Sequence, residues 1–188
     1  MKRTIGLLAY LLALPVFASW QLDNNSSHLS FVSVKKAQIA ETHSFKSLAG
    51  KVDGKNVQFS VDLASVSTGI PIRDERMTKF LFITKMFPSA TFNATIPANL
   101  ISSMKVGEIK HFDLSGTLTV KDKSQNAYVK TMLVKAADNK LVVSSVKPLI
   151  VKASDYGLAS GIAKLAELAK LSSITESVPV SFTLTFNK

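Results

Sequence analysis

The chain has 188 residues, the length of one ordinary domain, and contains no cysteine, which excludes disulfides, thiolate zinc sites, cysteine nucleophiles and lipid attachment at cysteine. Its net charge of +10 calls for an anionic partner, nucleic acid being the first to consider. Hydrophobic residues make up 46% and charged residues 19%, which excludes a disordered chain.

The first residues change the meaning of that charge. Met1-Lys2-Arg3 is a basic start, Ile5 to Leu14 is apolar almost throughout, and Val16-Phe17-Ala18 supplies small residues at the −3 and −1 positions. This predicts a signal peptide over residues 1–18, cleaved after Ala18 or Ser19, and one domain over 19–188. The apolar run is well short of the roughly 20 residues of a membrane span. Loss of Lys2 and Arg3 leaves a mature charge of +8. In the periplasm a nucleic-acid partner is not expected, so the anions in question are lipid head groups, an anionic membrane surface or envelope polyanions.

The mature chain alternates apolar and polar residues with a period of two, as strands with one buried face do. Leu29 and Phe31 share a face of a strand over His28 to Val34. Val57, Phe59, Val61 and Leu63 form the next apolar row, and Ala90, Phe92, Ala94 and Ile96 another. Phe112, Leu114, Leu118 and Val120 follow, with Gly116 expected as a bulge or bend. After a polar turn over Lys121 to Asn126 come strands over Tyr128 to Lys135 and Leu141 to Val151, parted by a turn at Asp138-Asn139. Val178, Val180, Phe182, Leu184 and Phe186 make the clearest row. Two segments have helical spacing instead: Asp74 to Phe82, with Asp74 as its cap, and Ser160 to Leu171, with Ile162, Leu165, Ala166 and Ala169 on one face. The second packs across the end of a barrel or lies on a membrane surface. Together these elements predict an all-β domain, one antiparallel sheet closed as a barrel or stacked as a sandwich.

Motifs for chemistry are scarce. His28, His43 and His111 are scattered and lack metal-binding spacing, so no metal or cofactor is expected. Gly157-Leu158-Ala159-Ser160-Gly161 resembles a nucleophile elbow, but its serine falls one place late. Nothing marks an enzyme, although a catalytic triad assembles only in three dimensions.

The segment from Ser65 to Phe92 has a different character. Ser65-Val66-Ser67-Thr68-Gly69 ends a strand, Arg73-Asp74-Glu75-Arg76-Met77 begins a helix, and Phe80-Leu81-Phe82 leads to Met86-Phe87-Pro88 before the next strand. In this run the chain resembles the YceI-like family of bacterial exported proteins. The likeness extends to Trp20 with Leu22-Asp23 and Ser30-Phe31, to Phe45 through Gly50, to Gly116-Thr117-Leu118-Thr119-Val120, to Asp155-Tyr156-Gly157 and to Val178 through Phe186. It departs at Asp122, at Lys152 and at Arg76-Met77, where the family has glycine, arginine and His-Leu.

That resemblance implies an extended, lipocalin-like eight-stranded antiparallel barrel with one or two short helices. It also implies a periplasmic protein with no established enzymatic activity, frequently dimeric, that binds a long isoprenoid or other amphiphilic lipid in its lumen. The lining residues expected are Phe31, Phe59, Val61, Phe92, Leu114, Leu118, Phe182 and Leu184. Phe80, Phe82, Phe87 and Tyr156 are expected near the mouth, with Arg73 as a head-group contact. The same phenylalanines could instead fill the barrel and leave no ligand. The competing readings are a non-catalytic envelope stress module that binds another protein or an anionic surface, and an exported hydrolase.

Overall fold

The structure is a computed structural model that describes residues 19–188; the signal peptide expected over 1–18 lies outside the described residues. Twelve strand segments form one antiparallel sheet: β1 (Trp20–Leu22), β2 (His28–Lys35), β3 (Ile39–Phe45), β4 (Leu48–Asp53), β5 (Asn56–Asp62), β6 (Val66–Ser67), β7 (Ser89–Thr95), β8 (Ile109–Val120), β9 (Lys123–Ala137), β10 (Lys140–Ser145), β11 (Leu149–Lys152) and β12 (Ser177–Asn187). Four pairs of neighbours, β1 with β2, β3 with β4, β5 with β6 and β10 with β11, are single long strands with a local break. Eight strands therefore run up and down in chain order, each paired with the next.

The ring closes through β12. On its free side it pairs first with β1, at Gln21↔Asn187 and Leu22↔Phe186, and then with β2, from Val180↔Phe31 to Thr183↔His28. The result is a closed eight-stranded antiparallel barrel. Polar side chains mend the ladder at its breaks, so that backbone groups released there keep partners. Asp23 caps the short 3-10 turn Asn24–Ser26 between β1 and β2. The Asn24 carboxamide then spans the facing break between β3 and β4: Leu48 N–H donates to its Oδ1 at 2.7 Å and its Nδ2 donates to the Lys46 carbonyl at 3.1 Å. At the end of β10, Ser145 Oγ accepts from Phe182 N–H at 3.1 Å.

Each end of the barrel is covered. Helix α1 (Pro71–Arg76) runs into a π-helical turn, Met77–Phe82, and helix α2 (Ala159–Leu168) lies against that turn. Gly161 allows the contact, because a Cβ there would come 2.8 Å from the Leu81 Cα and the Phe80 carbonyl oxygen. At the other end the segment after β7 folds inward with Ile96, Leu100, Ile101 and the buried Met104. The core accordingly has two parts, one around Trp20, Leu141 and Phe186 and one beneath the helices around Leu63, Met77 and Ile162.

Several local expectations are corrected. Gly116 is neither bulge nor bend, since the pairing of β8 with β9 runs through it without a shift, and the pairing with β7 ends at it in the same register. Its role is space: a Cβ there would stand 2.5 Å from the tip of the Phe92 ring and from the Asn93 carbonyl oxygen. The first helix starts at Pro71, whose fixed φ suits a first helical position, not at Asp74. The Asp74 carboxylate instead accepts from the backbone N–H and hydroxyl of Thr68. The turn after β8 is only Lys121-Asp122, with Lys121 left-handed at φ 56°, and Lys123 to Asn126 belong to β9. The row from Leu141 to Val151 is broken at residues 146–148.

Replacing Gly116 with Val forces a side chain against a backbone oxygen as well as a ring. The substitution is expected to cost about 1–3 kcal/mol, a fall in melting temperature of about 3–9 °C for a domain of this size, measurable by thermal denaturation.

Candidate functional site

Inward-facing rows from every strand of the barrel enclose a cavity of about 250 Å³. It runs from Leu100 and Ile101 at one end to Met77, Leu81, Leu158 and Ile162 under the helices at the other. Its wall is hydrocarbon and thioether, and among the described residues Thr91 is the one lining residue with a polar side chain. Chain alternation explains this directly: Phe59 and Val61 on β5, Leu114 and Leu118 on β8, and Phe182 and Leu184 on β12 share the inward face.

All eight residues expected as lining, Phe31, Phe59, Val61, Phe92, Leu114, Leu118, Phe182 and Leu184, lie on this wall. Of the five expected at the mouth, only Phe82 does. Tyr156 is buried in the packing below α2, away from the wall, and burial raises its phenol pKa. Phe80 lies under the Lys79 ammonium at 5.1 Å, and Phe87 under that of Lys121 at 5.5 Å. Residues that alternation left unselected include Phe45, Phe112, Val180 and Phe186. Phe112 and Val180 stood in recognised rows; Phe45 lies on β3, whose sequence Ile39–Phe45 carries Glu41 and His43 on the same face and so conceals the period.

Arg73 is committed elsewhere. Its Nη1 donates to Glu41 Oε2 at 2.8 Å and its Nη2 to the Thr68 carbonyl at 2.7 Å, while Lys35 Nζ meets the same Glu41 oxygen at 2.9 Å. This cluster latches α1 onto the β2–β3 hairpin, and Arg76 Nη1 ties the end of α1 to the Leu168 carbonyl at 3.3 Å. The hydrogen bond from Lys35 and then the charge of Arg73 hold the Glu41 carboxyl below its usual range against the opposing effect of burial.

His43 sits below the latch, 4% exposed, with its ring edge-on to Phe31 at 5.2 Å. Its Nε2 shares a 2.9 Å hydrogen bond with Ser33 Oγ, but its buried Nδ1 has no protein partner. The pair therefore lacks the orienting carboxylate of a catalytic triad. His28 and His111 lie on other strands and are exposed. Burial, and then the Arg73 charge, lower the His43 pKa from the ordinary 6.5.

A closed barrel around an enclosed apolar chamber, lidded by helices, defines the class of protein. The YceI-like domain model matches residues 20–186, and the chain belongs to that family. A polyisoprenoid-binding domain from Saccharophagus degradans implicated in plant cell wall breakdown is 34% identical, with a TM-score of 0.87 over 89% of this chain and 97% of its own. Burkholderia cenocepacia BcnA is 21% identical with a TM-score of 0.68, covering 87% of this chain and 98% of its own. The Campylobacter jejuni YceI protein is 17% identical with a TM-score of 0.54, covering 99% and 93%. The last two show the fold alone. No curated protein matches the chain.

The His43 shift fixes a pH dependence. Between the lowered folded pKa and 6.5 the unfolded chain binds a proton that the folded chain refuses, so stability falls as pH drops below about 6.5. Urea unfolding at pH 7 and pH 5 is expected to show that loss in the wild type and a smaller one in His43→Gln.

Proposed function

We propose that this protein binds and carries a long-chain isoprenoid, of the quinone or polyprenol type, or a similar amphiphilic lipid in its lumen, and that it does so in the periplasm after export. The observation that carries this reading is a chamber walled by apolar side chains along the whole barrel and covered at both ends. A packed barrel would place such rings and branched chains in mutual contact; here they surround a space of about 250 Å³. The physics is partition: each CH₂ that leaves water for the lumen is worth about 0.8 kcal/mol. Similarity to the polyisoprenoid-binding domain of S. degradans over nearly the whole fold supports the same ligand class.

The geometry favours binding over catalysis. Carriage requires only a wall that excludes water, and the histidines, serines and carboxylates of the chain lie outside that wall. The mature charge of +8 suits exchange with anionic membranes, since basic residues near such a surface add attraction that salt screens.

Native mass spectrometry of protein purified without added lipid, followed by organic extraction, tests the reading. A long-chain lipid is expected in the extract. Protein that is empty and also fails to take up an isoprenoid quinone or a polyprenol overturns the proposal. Leu118→Trp, which places an indole in the chamber, is expected to reduce bound lipid at least about tenfold, a loss of roughly 1.4 kcal/mol in affinity, while the barrel still folds. Sedimentation with anionic vesicles is expected to weaken strongly between low and physiological salt.

A further inference from the structure

The lid has two unlike sides. In the segment 77–87, Met77, Leu81 and Phe82 line the chamber, while Lys79, Lys85 and Met86 are exposed to solvent. The segment doubles back on itself at Ile83, whose backbone is left-handed at φ 54°. Thr84 N–H donates to the Thr78 carbonyl at 3.0 Å, and the N–H groups of Met86 and Phe87 donate to the Ile83 carbonyl at 2.9 and 3.1 Å. These bonds bring the turn Lys85-Met86-Phe87 back beside Lys79.

Single exposed apolar side chains are normal on any protein, so the neighbours of Met86 decide its meaning. Met86 is 70% exposed. On the same segment two half-buried rings lie beneath ammonium groups, Phe80 under Lys79 at 5.1 Å and Phe87 under Lys121 at 5.5 Å. Among the described residues none of Lys79, Lys85 and Lys121 forms an ion pair. The adjacent carboxylates are Glu75, one turn before Lys79, and Asp122, which lies 3.6 Å from Lys123. No Asp or Glu occurs between Glu75 and Glu108. Lysines 79, 85, 121 and 123 therefore outnumber the acids around the exposed methionine.

The opposite end of the barrel is built otherwise. Val106 and Ile109 are exposed there too, but Glu108 stands between them, 3.6 Å from Lys110 and accepting from Lys105 N–H at 2.8 Å. An anionic surface approaching that end meets a carboxylate in the middle of the apolar pair. At the lid it meets unpaired lysines over aromatic rings.

The combination of groups selects the partner. A lysine stem is itself apolar and can lie along a ring while its ammonium reaches outward to a phosphate. Basic residues attract the protein to an anionic bilayer, and apolar side chains beside them then enter the head-group layer. A soluble polyanion would engage the lysines and leave Met86 in water. A bilayer uses both.

We propose that the outer face of the lid, formed by Lys79, Lys85, Met86, Phe87 and Lys121, is the surface by which this protein docks on an anionic membrane. This rests on the carrier reading and adds to it a face and an orientation: the segment that closes the chamber is the one set against the bilayer.

Flotation with vesicles of phosphatidylcholine, alone or mixed with phosphatidylglycerol, tests it on two triple variants of equal charge. One carries Lys79→Gln, Lys85→Gln and Lys121→Gln; the other carries Lys55→Gln, Lys105→Gln and Lys140→Gln, exposed lysines of the opposite end. The first is expected to weaken binding to the mixed vesicles at least about tenfold, and the second far less. Met86→Trp adds an indole at the face, while the natural tryptophan, Trp20, is buried at the other end and serves as an internal reference. Its added emission is expected to shift to the blue with mixed vesicles and to stay unshifted with dextran sulfate. Equal losses in the two triple variants, equal binding to neutral and mixed vesicles, or an unshifted Met86→Trp emission on mixed vesicles overturns the docking face. So does a wild type that binds no vesicle. The carrier reading fails separately, by the absence of lipid in the extract and of uptake from solution.

Discussion

Everything in this molecule depends on β12 closing the sheet. A strand at the edge of a sheet offers unpaired N–H and C=O groups, and a barrel removes them by pairing its last strand with its first. Here one eleven-residue strand, Ser177–Asn187, holds both ends of the ring, with β10 and β11 on one side and β1 and β2 on the other. Once the ring is shut, each inward row faces the rows across the axis, and the space between them is shielded from water. Closure thus turns five ordinary apolar residues on β12, from Val178 to Phe186, into part of a chamber wall.

Bending a sheet into so small a ring needs breaks, and the chain places small polar side chains at them. Asn24, Ser27 and Ser145 each replace a ladder bond that the bend disrupts. The ends of the barrel are managed differently. At one end the segment carrying Ile96 and Met104 packs its apolar side chains inward and is held by hydrogen bonds from Lys135 Nζ to the Met104 carbonyl and from Ile96 N–H to the Lys55 carbonyl. At the other, the helices combine apolar undersides with a charged latch, Lys35–Glu41–Arg73, whose members are all less than a third exposed. The two ends of the barrel are thus closed by different means, while the chamber between them stays apolar.

Alternation made most of the wall legible. Phe59, Val61, Phe92, Leu114, Leu118, Phe182 and Leu184 follow from period-two patterning, because a strand places every second side chain on one face. The mouth was less legible, since it is built by helices and turns whose side-chain directions have no such period. Phe80 and Phe87 pack beneath lysines, Tyr156 fills the space under α2, and Arg73 turns to a strand thirty residues earlier in the chain. The seven residues of β3 hid for a related reason: Glu41 and His43 occupy inward positions where an apolar row would be expected, and only the covering helix makes those positions suitable for polar groups.

By itself, the sequence determined an all-β domain, its strand rows, the segments that interrupt them and the apolar character of the inward face. These are local properties, set by the period of the backbone and the side chains along it. Tertiary structure alone decided that the rows enclose a space, that Gly116 is there to clear the Phe92 ring and that Arg73 serves the lid. It also decided that His43 is buried among the rings and that its Nδ1 has no partner. Each of these depends on which residues come together across the barrel, a distance that sequence spacing does not encode.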